Sequence, residues 1–238
     1  VIINLSSSHL STKSKQKILA VIPAHNEEYT IGNLVKKTLK YVDIVVVVDD
    51  ASQDQTQAKA EMYGALTVKR NVCQGVGAAI STGIAKALEL GANIIVTLDA
   101  DGQHNPEEIP NLITPIIKGE ADLVIGSRIL GSMETRDPIK KFGNKLITFI
   151  VGKMINLKLT DTQCGFRAFT REVANPTSFS HFTYTQEMII KAAKKGFRIK
   201  EVPVNVTARK IGNSRVVSNP ITYGLKVLKI LIKQIMST

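Results

Sequence analysis

The stretch "IIVTLDADGQHNPEEIP", residues 94–110, decides how the rest of the chain is read. A short apolar run rich in β-branched residues stops at two aspartates, Asp99 and Asp101, one residue apart. A run of that length bounded by polar segments reads as a buried strand. The Asn-Pro-Glu-Glu that follows reads as a helix start, with Pro in the first turn and acids at the positive end of the helix. Strand, acidic turn and helix together make one β-α unit.

The unit recurs on both sides. Upstream, "ILAVIP" (18–23) is a strand stopped by Pro23, and "NEEYTIGNLVKKTLK" (26–40) a helix with Asn26 as its cap and Ile31, Leu34, Val35 and Leu39 on one face. "DIVVVVDD" (43–50) is a second buried strand. A loop and a helix ending at Gly64 follow, then the weaker strand "ALTVKR" (65–70). "NVCQGVGAAISTGIAKALELG" (71–91) is a loop feeding a helix that stops at Gly91, and downstream "ADLVIGS" (121–127) is a fourth strong strand. This alternation predicts an α/β fold: a mostly parallel sheet flanked by helices, with right-handed crossovers.

After Arg128 the pattern loosens. "ILGSMETRDPIKKFGN" (129–144) reads as loop, "KLITFIVGKMINL" (145–157) as an apolar helix, and "KLTDTQCGFRAFTREV" (158–173) as a loop entering a short strand. "TQEMIIKAAKKG" (185–196) is a helix. "FRIKEVPVNV" (197–206) is a strand that Pro203 confines to an edge or bulge. The expected organisation is a Ser- and Lys-rich arm over 1–17, one domain over 18–218 whose second half packs on the first sheet, and a C-terminal amphipathic helix over 219–238.

In a parallel α/β sheet, ligands bind beyond the carboxyl ends of the strands. Here those ends read "PAHNEE", "VDDASQD" and "LDADGQ", so acids gather along one edge. Clustered carboxylates repel one another, and a hard divalent cation such as Mg²⁺ or Mn²⁺ offsets them through oxygen ligands. On an extended segment Asp99 and Asp101 point to one side, with Gln103 in the same register. One metal is then expected on Asp101 and Gln103 with Asp99 nearby, leaving positions for phosphate oxygens.

Lys and Arg number 31 against 20 Asp and Glu, a net charge of +11 over 238 residues, which favours an anionic partner. Aromatic content of 5% without Trp argues against stacking on single-stranded nucleic acid, and no helix-turn-helix or zinc-finger spacing occurs, so no nucleic-acid partner is expected. Cys73 and Cys164 stand far apart without CxxC spacing, as in a reducing compartment. No apolar run reaches about 18 residues, so no span is expected in this sequence. The chain begins with Val, which leaves a membrane tail or a membrane-anchoring partner as a candidate.

In order, "VIPAHNEE", "VVVDDASQDQT", "NVCQGVGAAISTG", "VTLDADGQHNPEEI", "DLVIGSR" and "DTQCGFRAF" resemble the signatures of family 2 glycosyltransferases with the GT-A fold. The branch is that of dolichol-phosphate mannose synthase and the related polyprenyl-phosphate sugar transferases. The resemblance runs from residue 18 to about residue 236. It implies a Rossmann-like nucleotide-sugar-binding fold and an inverting, metal-dependent transfer of a hexose from a GDP- or UDP-sugar to a polyprenyl or dolichyl phosphate. On this sequence it implies that Pro23, His25 and Glu27 line the nucleotide pocket, that Val48 and Asp50 hold the base and ribose, that Asp99, Ala100 and Asp101 form the D-x-D element, and that Asp101 with Gln103 ligates the metal bridging the diphosphate. Arg128 meets the sugar-phosphate or the acceptor phosphate, and Arg209 and Arg215 belong to a basic loop closing over the diphosphate. His25 stands where Tyr is common, Thr183 where a Lys can contact the donor, and Arg215 where Lys is usual.

The chemistry agrees. A leaving diphosphate needs its charge neutralised by a Lewis acid and arginines. A phosphate monoester, with a second pKa of about 6, needs positioning more than a general base. Lys145 and Thr148 are the candidate contacts to the acceptor phosphate. The alternative acceptor is a sugar hydroxyl in polysaccharide or glycoconjugate synthesis. Lys226, Lys229 and Lys233 beside Leu225, Leu228 and Ile232 suit either a helix packed on the core or one lying on an anionic membrane surface, and the 146–157 stretch suits the same contact. A peripheral place on the cytoplasmic membrane face follows from this reading. Of the remaining motifs, "GVGAAI" reads as a tightly packed helix start, His104 as a polar loop residue rather than a metal ligand, Cys164 as packing rather than a nucleophile, and Asp161 as shaping the acceptor side of the cleft.

Overall fold

The computed structural model describes residues 16–133, 138–174 and 183–208. Residues 1–15, the stretch 219–238 expected as a C-terminal helix, and Arg209 and Arg215 lie outside the described residues.

Seven strands form one sheet in the order β3-β2-β1-β4-β6-β5-β7. They are β1 (Ile18–Ala24), β2 (Ile44–Asp50), β3 (Leu66–Arg70), β4 (Ile94–Thr97), β5 (Leu123–Met133), β6 (Arg167–Thr170) and β7 (Ile199–Val206). All neighbours pair in parallel except β6, which runs antiparallel to both β4 and β5. The helices are α1 (Ile31–Thr38), α2 (Thr56–Met62), α3 (Val76–Glu89), α4 (Ile109–Ile117), α5 (Pro138–Ile155), α6 (Arg171–Ala174) and α7 (Tyr184–Lys194).

Alternation along each strand divides the core into two layers. Leu19, Val21, Val46, Val48 and Ile95 face α3, α5, α6 and α7, whereas Ala20, Ile22, Val45, Val47 and Val96 face α1, α2 and α4. β1, β2 and β4 are buried on both faces, which is why they read as unbroken apolar runs.

Three local expectations change. Asn26 does not cap α1: it adopts φ +53°, and its side chain accepts from Gln53 N at 2.7 Å, so Thr30 becomes the residue preceding the helix. β5 runs on to Met133 through residues expected to be loop, because Ser132 and Met133 pair with β7 beyond an irregularity after Ser127. α5 begins at Pro138, absorbing more of that loop. β7 is an edge strand, as Pro203 requires.

Candidate active site

The carboxyl ends of β1, β2 and β4 meet along one edge, and their loops are tied to one another. Asn26 N donates to Ser52 Oγ (2.9 Å), Glu27 N to Thr56 Oγ1 (2.8 Å) and Glu28 N to Asp54 Oδ2 (3.2 Å). Two non-glycine residues here, Asn26 and Ala51, hold positive φ, a conformation that costs an L-residue about 1 kcal/mol or more. Pro23 stands beside Val48 in register, and His25 Nδ1 donates to the Asp50 carbonyl at 2.7 Å. Pro23, His25, Glu27 and Asp50 therefore gather at one end of the sheet. Val48 differs: its side chain is wholly buried in the α3 layer, so only its backbone can meet a ligand.

Asp50 is committed to the neighbouring loop. Its Oδ1 accepts from Gln74 N and pairs with Arg70 Nε at 3.2 Å, and its Oδ2 accepts from Gly75 N at 2.7 Å and from Cys73 Sγ at 3.4 Å. A carboxylate offers about four acceptor positions, so a base N–H has to displace one of these donors.

The aspartate pair sits on a turn, not on the extended segment expected. β4 ends at Thr97, Gly102 takes φ +73°, and Asp101 Oδ1 accepts from Gln103 N at 3.1 Å. Ala100 is buried, with its carbonyl receiving the Thr30 hydroxyl. Gln103 Nε2 donates to Thr207 O at 2.8 Å, so the carboxamide oxygen is the end left to meet a cation. Asp99 is 42% exposed. No group of three His, Cys, Asp or Glu forms a closed metal cage among the described residues. Two carboxylates and an amide oxygen make an all-oxygen, open-sided set of the kind that suits a hard divalent cation shared with phosphates.

His104 is a buried packing residue. Its ring stacks on Phe166, with centroids 5.1 Å apart, and Nδ1 accepts from Asp99 N. Burial pulls its pKa down to about 4, so it is neutral. Cys164, pushed up to about 12 by burial, is no nucleophile.

Facing the acidic turn is Arg128, at the bend of β5. Its Nε and Nη2 fork onto Asp161 Oδ2 and Oδ1 at 2.6 and 2.9 Å. Burial disfavours both charges, yet their hydrogen bonds and attraction more than offset it, raising the guanidinium pKa and lowering that of the carboxyl. Asp161 also accepts from the backbone N–H groups of Arg128, Gln163 and Cys164. The 160–165 turn thus holds Arg128, and Asp99 adds to the negative field there.

Lys145 and Thr148 are three residues apart on α5 but differ in environment. Lys145 is exposed, whereas Thr148 is buried and bonds Thr162 through both the hydroxyl and the amide of the latter. Thr183 is buried with its hydroxyl on Glu187 at 2.6 Å. The sequence reading missed Gly165 and Arg167. The available signal was an arginine inside an otherwise apolar strand pattern, "GFRAF".

The Glycosyl transferase family 2 profile matches residues 19–176. The chain is 34% identical over 240 residues to the UDP-N-acetylglucosamine–dolichyl-phosphate N-acetylglucosaminyltransferase of Methanococcus voltae, covering 89% of this chain and 96% of that one. It is 32% identical over 215 residues to the undecaprenyl-phosphate mannosyltransferase of Micrococcus luteus, covering 84% and 87%. Its fold matches glucosyl-3-phosphoglycerate synthase from Mycobacterium tuberculosis, in complex with Mn²⁺ and UDP-glucose, with a TM-score of 0.75 at 21% identity, over 93% of this chain and 79% of that one.

Proposed function

The chain belongs to glycosyl transferase family 2, and we propose that it moves a hexose-type sugar from a nucleotide sugar to a polyprenyl or dolichyl phosphate, with inversion at the anomeric carbon. The observation that carries this reading is the juxtaposition at the sheet edge: Asp99 lies against Gly165, and the adjoining Cys164 N–H bonds Asp161, whose carboxylate forks Arg128. The two relatives named above transfer different sugars, but both names specify a polyprenyl-type phosphate acceptor.

In this reading Pro23, His25, Glu27, the Val48 backbone and Asp50 receive the nucleoside. Asp99, Asp101 and the Gln103 oxygen hold a divalent cation, Mg²⁺ or Mn²⁺, which supplies Lewis-acid neutralisation of the leaving diphosphate when bound. Arg128, oriented by Asp161 before substrate arrives, holds a phosphate oxygen without reorganisation during the reaction. Arg209 and Arg215, outside the described residues, are assigned to the diphosphate by the family resemblance alone. An acceptor phosphate is already ionised at pH 7 and needs positioning rather than deprotonation, which suits a site whose fixed cation is Arg128.

No described helix is long and apolar enough to cross a membrane. The outer face of α5 nevertheless exposes Phe142, Leu146 and Phe149 at i, i+4 and i+7, with Lys153 over the Phe149 ring. The opposite face of the same helix packs Thr148 under the 160–165 turn. Apolar side chains with basic neighbours suit a peripheral contact with an anionic membrane surface. We place the enzyme there on the cytoplasmic face, alone or with an anchoring partner.

The test is nucleotide release from a panel of GDP- and UDP-sugars with Mn²⁺ or Mg²⁺, with and without a short polyprenyl phosphate. Lipid-dependent release of one nucleotide, abolished by Asp101→Asn, is the expected result. Release driven by a glycan and not by the lipid would replace this reading with transfer to a hydroxyl.

A further inference from the structure

We infer that Arg167 is a positioning residue for the transfer reaction, clamping the 162–165 backbone so that Arg128 and Asp99 keep their places. The inference rests on the functional reading above.

Arg167 opens β6 and heads the side chains that are fully buried. Its guanidinium spends three N–H groups on carbonyls: Nη2 on Thr162 O (2.8 Å), Nε on Cys164 O (2.8 Å) and Nη1 on Thr185 O (2.5 Å). An apolar side chain of similar volume would fill the space without the desolvation cost of a cation. It would also leave the carbonyls of buried Thr162 and Cys164 without this donor.

Each bond reaches a different half of the site. The peptide between Thr162 and Gln163 has its carbonyl on Arg167 and its N–H on Asp161, whose carboxylate forks Arg128. The peptide between Cys164 and Gly165 has its carbonyl on Arg167, and Gly165 lies directly against Asp99: a Cβ there would stand 2.9 Å from Asp99 Oδ1. The third bond anchors the clamp to the first turn of α7. One buried cation therefore fixes both the acidic and the basic side of the cleft, without touching substrate.

The test uses the full chain labelled with ¹⁵N, reading the Arg128 Nε–H resonance, assigned by its loss in Arg128→Lys. In Arg167→Met, with the fold checked by circular dichroism, that resonance is expected to shift or vanish. Arg167→Lys, which keeps the charge but cannot reach all three carbonyls, should give a partial shift, and serves if the Met variant does not fold. Per folded molecule, kcat should fall at least about tenfold while the donor KM moves by less than about threefold. Combining Arg167→Lys with Asp161→Asn should lower kcat no further than the worse single variant, because both act through Arg128. An unmoved Arg128 resonance, or fully multiplicative losses, would overturn the inference. A wild-type enzyme that ignores polyprenyl phosphate would instead count against the proposed acceptor, and the resonance would still decide the role of Arg167.

Discussion

Gly165 lies so close to Asp99 that a methyl group on it would stand 2.9 and 3.1 Å from the two carboxylate oxygens, and 2.9 Å from the Tyr184 hydroxyl. The missing side chain is the space the carboxylate uses. Gly165→Ala should therefore push Asp99 aside rather than unfold the protein, since Asp99 has solvent to move into. We expect Mn²⁺-dependent activity to drop at least about tenfold. The melting temperature should fall by no more than about 4 °C. Metal titration of activity and a thermal melt on the same sample check this, and a large melting shift with normal metal response would contradict it.

The Arg128–Asp161 fork is nearly sealed from solvent, with side chains 18% and 4% exposed. Removing one partner of such a pair leaves a buried charge and typically costs about 3–5 kcal/mol. Asp161→Asn should lose stability on that scale as well as activity. Arg128→Met combined with Asp161→Asn, whose amide oxygen can still accept from the Gln163 and Cys164 N–H groups, should recover part of the stability and none of the transfer. Urea unfolding with parallel assays separates the two effects.

Cys73 is exposed, but partial burial and the adjacent Asp50 carboxylate raise its pKa above the ordinary 9.0. The thiolate is the attacking species, so labelling by a disulfide reagent at pH 7.5 should be slow and should accelerate as pH rises. Asp50→Asn should speed it. Cys164, with a pKa pushed up to about 12, should label only on unfolding. Saturating nucleoside diphosphate that displaces Cys73 from Asp50 should change the Cys73 rate.

Much of the frame was legible because burial writes itself into sequence. β1, β2 and β4 are enclosed on both faces and read as apolar runs, and Gly64, Gly91 and Gly196 mark helix ends with positive φ. The tail of β5 was not legible: Ile129 and Leu130 are exposed, and the pairing of Ser132 and Met133 with Asn205 and Val206 is set by a partner about 70 residues away. At the site, Asp99 and Asp101 could be picked by chemistry, and Arg128 through the family resemblance. The turn at Gly102 could not be told from an extended segment, nor could Val48 be known to point inward. Thr148 looked available, but it is buried with its hydroxyl bonded twice to Thr162, a contact no local pattern announces.

Asp122 and Arg198 join β5 to β7 by two side-chain bonds of 2.7 and 2.9 Å, and the Asp122 carboxyl is held below its ordinary 3.8 by that hydrogen bonding. A depressed folded pKa gives stability that is present above the unfolded value and lost as pH falls through the folded one. The destabilisation caused by Asp122→Asn should thus be visible at pH 7 and shrink steadily below about pH 4. Arg198 is largely exposed, so the effect should be small and weaker in high salt. Denaturant midpoints at two pH values and two salt concentrations measure it.

The reversed strand β6 also imposes an order of assembly. β4 and β5 do not touch each other along the sheet: β6, made later than either, lies between them and pairs with both. On a ribosome, β1 to β4 can zip as soon as they emerge, while β5 must wait with both edges bare until residue 170 is delivered, and with one bare until β7 follows. Those four residues are the keystone of the sheet, and their arrival closes the scaffold in the same step that brings Arg167, Gly165 and Asp161 to the cleft. The half that carries His25 and Asp50 can be assembled early, but the half that carries Arg128 and Asp161 comes into being only when the arch is shut.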